Sequence, residues 1–131
     1  MNEYVIETEK LTKKYKNQIA VDRLNLHVQK GKIYALLGRN GAGKTTTMKM
    51  LLNLVKPTSG SLYLFGRNNS EFSKENCHRI GSIIEAPAFY ENLTAKENLK
   101  ILERLRGRHR KDMVENALSI MNLDKEKKTV S

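Results

Sequence analysis

The chain has 131 residues, of which 39% are hydrophobic and 29% are charged, a composition typical of one folded domain with a single core. No apolar run approaches the ~20 residues that a membrane-spanning helix needs, and the lone Cys77 cannot form an internal disulfide, which fits a reducing cytosol. The net charge of +10 permits an anionic partner. We interpret the basic run from Arg104 to Lys111 as a solvated helix end followed by a basic turn, and we therefore predict no nucleic-acid partner.

Three strands are predicted before the first helix. The first strand is predicted at residues 4–8. The second is predicted at residues 20–28, where Leu24, Leu26 and Val28 alternate with polar neighbours. Residues 33–37, IYALL, are apolar throughout, and such a run is typical of a buried parallel strand.

A helix is predicted to follow, from near Gly43 to the residue before the Lys56–Pro57 pair, because proline disfavours helical backbone in the residue that precedes it. Its apolar side chains are spaced i, i+3, i+4 and i+7 along one face: Met48, Leu51, Leu52 and Val55. Turn residues at 58–60 then lead to a strand at residues 61–65.

The last third of the chain is predicted to be mainly helical. A short helix at residues 74–79 and a strand at residues 80–84 precede it. Residues 94–97, TAKE, form a capping box, in which the threonine and glutamate side chains can satisfy the first amides of a helix. We expect that helix to run to Gly107 and a final helix to occupy residues 113–122.

A glycine-rich loop lies between the third strand and the first long helix. Residues 38–46, GRNGAGKTT, contain a complete G-x-x-x-x-G-K-[ST] phosphate-binding motif. The glycines let the backbone wrap a polyphosphate, and the amide N–H groups and the positive end of the helix then face the anion. Lys44 is expected to bind the β- and γ-phosphates, and the Thr45 hydroxyl is expected to bind Mg²⁺. The predicted phosphate-binding residues are Gly38, Arg39, Asn40, Gly41, Ala42, Gly43, Lys44, Thr45 and Thr46.

Three further segments accompany the loop: LTKKY at residues 11–15, VKPTSGS at residues 55–61 and LTAKENL at residues 93–99. Together with the loop they resemble the N-terminal half of an ABC transporter ATPase subunit, and the resemblance covers essentially the whole chain. It implies an α/β fold, namely a P-loop NTPase core with N-terminal antiparallel β-strands. The beginning of a helical subdomain follows this core, and the two parts together make an incomplete nucleotide-binding domain. The resemblance also implies ATP and Mg²⁺ as cofactors. The partial core is predicted to span residues 1–90 and the partial helical subdomain residues 91–131.

The same resemblance implies roles for single residues. Tyr15 resembles the family's aromatic residue that stacks on adenine, and a flat ring can contact a base without reading its edges; packing of the ring at a strand edge is the alternative. Val21 would pack beside the ribose and the base, although an apolar strand residue can equally belong to the core. Thr46 resembles the residue that holds the α-phosphate. Arg39 stands where the family commonly has proline, and its side chain could contact the phosphates or remain in solvent.

Glu85 lies where the family usually has a glutamine that ligates Mg²⁺ and relays the nucleotide state to the membrane subunit. Residues 80–99 resemble the bacterial subgroup that exports peptide antibiotics, namely bacitracin-resistance and lantibiotic-immunity exporters. A glutamate keeps an oxygen ligand for Mg²⁺ and adds a negative charge; an ordinary exposed glutamate at a strand end is the alternative. In the family, the neighbourhood of Phe89 and Tyr90 receives a helix of the membrane subunit, and a hydrophobic staple is the alternative reading there.

Three motifs that the family uses for hydrolysis are absent from this sequence: an LSGGQ-like signature, an apolar strand that ends in Asp-Glu, and a later switch histidine. We therefore expect an N-terminal fragment, ending at Ser131, that binds Mg·ATP without hydrolysing it. The resemblance implies a parent ATPase with two partners, a transmembrane permease subunit and a second ATP-binding subunit. It places that parent in the cytoplasm, peripheral at the inner face of the cell membrane. A stand-alone nucleotide-binding or regulatory P-loop module without a transport role is the main alternative, and a P-loop kinase is a third.

Overall fold

The structure is a computed structural model that describes residues 3–71, 74–85, 89–107, 110 and 112–123. Parts of the sequence predictions fall on residues outside these ranges, namely Pro87, Arg108, Lys111 and residues 129–131. The chain divides into two compact units, residues 1–84 and residues 85–131. The domain boundary at residue 90 stays a prediction.

An antiparallel sheet of four strands, in the order β2-β1-β3-β4, forms the frame of the first unit. Strand β1 spans Tyr4–Tyr15, β2 spans Gln18–Gln29, β3 spans Ser59–Leu64 and β4 spans Arg67–Asn68. Strand β1 pairs with β2 on one side and with β3 on the other. The predicted N-terminal antiparallel strands are confirmed, and both are longer than the sequence pattern indicated.

Bulges explain why the alternation pattern underestimates the two long strands. Lys10 and Arg23 have positive φ angles of 49° and 44°, and the pairing of β1 with β2 shifts register between Thr8 and Leu11. The buried Thr8 hydroxyl bridges the shift, since it donates to the Leu24 carbonyl and accepts from the Leu26 amide, each at 2.9 Å. An extra residue at a bulge breaks the period of two while the strands remain paired.

Helix α1 spans Lys44–Leu51 and buries one face against the sheet. The core cluster joins this helix to three strands: Leu11, Val21, Met50, Leu51, Leu62 and Leu64. The helix ends at Leu51 rather than near Val55, which corrects the prediction. Asn53 adopts a left-handed conformation with φ 57°, and the Leu54 amide donates to the Lys49 carbonyl at 2.9 Å. This is a Schellman ending, in which asparagine takes the place usually occupied by glycine.

The predicted strands at residues 33–37 and 80–84 are wrong for this structure, because neither segment has regular secondary structure. Ile33 is fully exposed and Leu37 is 89% exposed. A strand needs a hydrogen-bonded neighbour, whatever its apolar content. Within the described ranges, no strand pairs with either segment.

The remaining elements are helical. A 3-10 turn at Asn69–Glu71 and helix α2, Lys74–Arg79, follow the sheet, and the second unit contains α3, Ala95–Arg106, and α4, Met113–Ile120. The capping box and the end of α3 at Gly107 are confirmed, and Gly107 has a left-handed φ angle of 66°. None of the helices in the described part of the chain is long and apolar enough to cross a bilayer.

Candidate functional site

Gly43 joins the glycine-rich loop to α1 and has a left-handed φ angle of 88°. A Cβ atom at this position would lie 2.1 Å from the Ala20 carbonyl oxygen and 3.0 Å from a methyl group of Val21. Glycine alone meets both demands, since it tolerates the backbone angle and has no side chain to collide with β2. The start of α1 therefore lies directly against the beginning of β2.

The rest of the loop is a compact turn. The Ala42 amide donates to the Arg39 carbonyl at 3.0 Å, and a Cβ atom on Gly38 would lie 3.1 Å from the Ala42 side chain. Gly41 also has a left-handed φ angle, 83°, but the space around its Cα is open. Gly41 is thus required by its backbone angle alone, and its open side is available to a ligand.

The first turn of α1 presents its amides without a side chain over them. Among the described residues, no side chain caps this helix, and its first turn contains no acidic residue. The first amides of a helix have no partner within the helix, and the helix dipole adds partial positive charge there. The N-terminus of α1 is therefore suited to an anion.

Lys44 places its ammonium group inside the loop. Its Nζ donates to the Gly38 carbonyl and to the Arg39 carbonyl, the latter at 2.8 Å. A lysine ammonium has three donors, so two backbone carbonyls orient the group and leave one donor for a ligand.

A cleft of ≈ 460 Å³ opens over the loop and α1. It brings Tyr15, which is 47% exposed, together with six of the nine predicted loop residues. The lining residues are Tyr15, Gln18, Ala20, Asn40, Gly41, Gly43, Lys44, Thr45 and Thr46. Gly38, Arg39 and Ala42 shape the loop from outside this lining.

Two predicted site residues are not among the lining residues of this cleft. Val21 is buried in the core, at 7% exposure, and one of its methyl groups lies next to Gly43. It does not line the cleft. Glu85 is the exposed first residue of the second unit and has a left-handed φ angle of 62°. The described residues contain no group of three or more His, Cys, Asp or Glu side chains that could hold a metal. Thr45 and Glu85 therefore stay predictions as Mg²⁺ ligands.

Sequence reasoning missed Gln18 and Ala20, which also line the cleft. Gln18 pairs with Tyr15 across the turn between β1 and β2, so a hairpin predicted to turn at Lys16–Asn17 would have placed it beside the ring. Ala20 contributes its backbone, against which Gly43 packs. No side-chain pattern reports a contact of that kind.

The second unit has an apolar groove of its own, with a volume of ≈ 540 Å³. The buried side chain of Asn98 holds the backbone of residues 90–94 at one edge of this groove. Its oxygen accepts from the Tyr90 amide at 2.8 Å, and its nitrogen donates to the carbonyls of Tyr90, Leu93 and Thr94. The lining residues are Phe89, Tyr90, Glu91, Leu93, Ala95, Asn98, Leu99, Ala117, Leu118, Met121 and Leu123. The exposed rings of Phe89 and Tyr90 are therefore held at one edge of a groove between α3 and α4.

Comparison with known proteins identifies the family. A protein-family model described as "ABC transporter" matches residues 21–131, most of the chain. The chain belongs to the ABC transporter family. This ABC chain is 58% identical, over 98% of its length, to the bacitracin transport ATP-binding protein BcrA of Enterococcus faecalis. It is 39% identical, over 92% of its length, to the lantibiotic transport ATP-binding protein SrtF of Streptococcus pyogenes. The predicted family and subgroup resemblance are confirmed. The chain spans 42% of the length of the first relative and 52% of the second.

Solved structures confirm the predicted fold class. An ATP-binding subunit of an ABC transporter superposes with a TM-score of 0.77 at 27% identity, covering 97% of this chain and 53% of that one. A dimeric ATP-binding cassette in a post-hydrolysis state, bound to ADP and phosphate, superposes with a TM-score of 0.73 at 21% identity, covering 92% and 59%. The second likeness concerns the fold alone.

Proposed function

We propose that the protein binds ATP at the glycine-rich loop and is the ATP-binding part of an ABC exporter. The observation that carries this proposal is the cleft in which six loop residues and Tyr15 lie together. One side offers uncapped helix amides and the Lys44 ammonium to a polyphosphate. The other side offers the face of an aromatic ring to a base. A nucleoside triphosphate combines these two chemical groups in one ligand.

Mg²⁺ belongs to the same proposal. Thr45 lines the cleft beside Lys44, and we assign its hydroxyl as a protein ligand of the ion. For Glu85 we keep the role that the family resemblance implies, an oxygen ligand of Mg²⁺. Mg²⁺ prefers oxygen ligands and, in nucleotide sites, is bound by one or two protein groups, water and the phosphates of the substrate. Two oxygen ligands from the protein would therefore suffice, without an acidic cluster.

The exporter role is supported by the relatives, whose names specify bacitracin and lantibiotic transport. We propose that the transported substrate is a peptide antibiotic and that ATP hydrolysis powers its export. The proposed partners are a transmembrane permease subunit and a second ATP-binding subunit, at the inner face of the cell membrane. The apolar groove beside Phe89 and Tyr90 would receive a helix of the permease.

Glu85 gives the sharpest test of the transport role, because its alanine and glutamine variants separate oxygen ligation from charge. In cells that carry the full-length parent protein with its membrane partner, Glu85→Ala should lower ATPase rate and antibiotic resistance about tenfold or more, as loss of a group around a metal typically does. The affinity for nucleotide should change less. Glu85→Gln keeps an oxygen ligand and should retain part of both activities.

Nucleotide affinity, ATPase rate and resistance to a peptide antibiotic are measured in parallel for the three proteins. If Glu85→Ala leaves resistance and ATPase rate unchanged, Glu85 is an ordinary surface residue. If Glu85→Gln matches the unmodified protein in both, the negative charge has no role.

A further inference from the structure

We propose that Lys13 is a positioning residue for Tyr15, which it holds in the orientation that stacks on the base of a bound nucleotide. The inference rests on the proposed nucleotide-binding function. It concerns the base half of the cleft, away from the phosphate-binding loop.

Lys13 and Tyr15 are two residues apart in β1, so their side chains project from the same face of the strand. The Lys13 Nζ atom lies 5.0 Å from the centroid of the Tyr15 ring. A lysine ammonium within ~6 Å of an aromatic centroid is attracted to the electron-rich face of the ring. One face of Tyr15 is therefore occupied by a cation before any ligand arrives.

A hydrogen bond fixes the cation in that place. Lys13 Nζ donates to the Lys56 carbonyl at 2.7 Å. The segment that carries Lys56 is itself attached to β1, because the Thr58 amide donates to the Thr12 carbonyl at 2.9 Å and the Thr58 hydroxyl accepts from the Lys14 amide at 3.0 Å. A lysine side chain normally samples many rotamers, and this tether restricts it to the position over the ring.

Tyr15 lines the cleft, and Lys13, half-buried, does not. In the proposed arrangement, the ring stands between the Lys13 ammonium and the space that a base would enter. Restricting the ring before binding lowers the ordering cost that stacking must overcome, and a base can then stack on the face opposite the cation.

Direct attraction between Lys13 and the phosphates is the rival explanation, and Lys14 is the matched control for it. Lys14 carries the same charge one residue away, but it is exposed and projects from the opposite face of β1. A long-range effect of charge would be similar for the two lysines. A positioning effect requires the contact with the ring, which only Lys13 makes among the described lysines.

The test compares two probes by calorimetry, Mg·ATP and Mg·tripolyphosphate, which lacks a base. Lys13→Met should weaken ATP binding about two- to fivefold, the change that corresponds to ~0.5–1 kcal/mol for an exposed cation–π contact. It should leave tripolyphosphate binding unchanged. Lys14→Met should affect neither probe, and Lys13→Arg, which keeps a cation that can stack, should restore ATP affinity. In a Tyr15→Leu background, Lys13→Met should have no further effect on ATP.

A second readout needs no nucleotide. The methylene protons next to Lys13 Nζ should show an upfield NMR shift from the ring current of Tyr15, and Tyr15→Leu should abolish that shift. Its absence in the unmodified protein would overturn the contact. Equal weakening of ATP and tripolyphosphate by Lys13→Met, or unchanged ATP affinity, would overturn the positioning role alone. An unmodified protein that binds neither probe would refute the proposed function, and the positioning role with it.

Discussion

Helix α1 begins at the glycine-rich loop with no side chain over its first amides, whereas α3 begins with two side chains that occupy them. At α3, the Thr94 hydroxyl accepts from the Glu97 amide, and the Glu97 carboxylate accepts from the Thr94 amide at 2.8 Å. At α1, the corresponding position is Gly43, which has no side chain to offer. The same backbone groups are thus left open in one helix and satisfied internally in the other.

The difference shows that the presence or absence of capping side chains in a short segment determines whether a helix N-terminus is stabilised internally or left open to a ligand. Glu97 supplies negative charge at the positive end of α3, where it stabilises the helix. The first turn of α1 contains Lys44 in place of an acidic residue, so its positive end is reinforced, and an external anion is needed to balance it. Local stability is lower at such an open N-terminus, and ligand binding would restore it.

The largest expected effect comes from closing the space at Gly43. In Gly43→Ala, the new methyl group would meet the Ala20 carbonyl oxygen at 2.1 Å, and alanine would have to adopt φ 88°. The left-handed backbone costs roughly 1–2 kcal/mol, and overpacking adds about 1–3 kcal/mol. We expect the free energy of unfolding, measured by urea titration, to fall by the sum, together with loss of ATP binding.

Gly41→Ala is the matched control, because Gly41 has a similar φ angle of 83° but no atom within 4 Å of the new methyl group. It should show only the backbone cost of roughly 1–2 kcal/mol. Equal losses of stability in the two variants would mean that the contact between the start of α1 and β2 does not constrain the loop.

A smaller effect is expected at α3, where the stability of the capping box should depend on pH. The backbone amide and then the side chain of Thr94 donate to Glu97 and hold the pKa of its carboxyl below the ordinary value of 4.5. A lowered pKa in the folded state means that the stabilisation is present above the unfolded pKa and is lost as the pH falls through the folded pKa. The contribution should therefore be complete above about pH 4.5, decline as the pH falls below that value, and be lost below the folded-state pKa.

Glu97→Gln isolates this titration from that of the other carboxylates, because glutamine can accept the same hydrogen bonds and carries no charge. The difference in free energy of unfolding between the two proteins is measured from pH 7 downwards. It should shrink as the pH falls below the unfolded pKa of Glu97. A difference that is constant over this range would show that the charge of Glu97 contributes nothing to the cap.

Features that depend on neighbours in the sequence could be predicted from it. The capping box at Thr94, the end of α3 at Gly107 and the loop glycines each follow from residues within a few positions. The early end of α1 is also encoded locally, in Asn53, whereas the proline at position 57 favours a later stop. Asparagine in a left-handed position is a less frequent helix ending than glycine, so its signal is easier to miss.

Features that depend on distant partners could not be predicted. The apolar pattern at residues 33–37 describes side chains, whereas strand formation depends on a neighbouring backbone, and none pairs with this segment in the described ranges. Tyr15 was predicted as a site residue, but its support by Lys13 depends on the Lys56 carbonyl, 43 residues away in the sequence. The contact of Gly43 with Ala20 is likewise set by how α1 packs on β2.

Calorimetric titration of Mg·ATP into the unmodified protein and into Lys44→Ala tests the central claim, that the glycine-rich loop binds the phosphates of a nucleotide, most directly. Removing the ammonium should weaken binding by ~1.5–3 kcal/mol, the range for hydrogen bonds to charged groups, which is about ten- to 150-fold in the dissociation constant. Lys32→Ala, which removes an exposed lysine ahead of the loop, should bind ATP as the unmodified protein does. Equal affinity of the unmodified protein and Lys44→Ala would contradict the account.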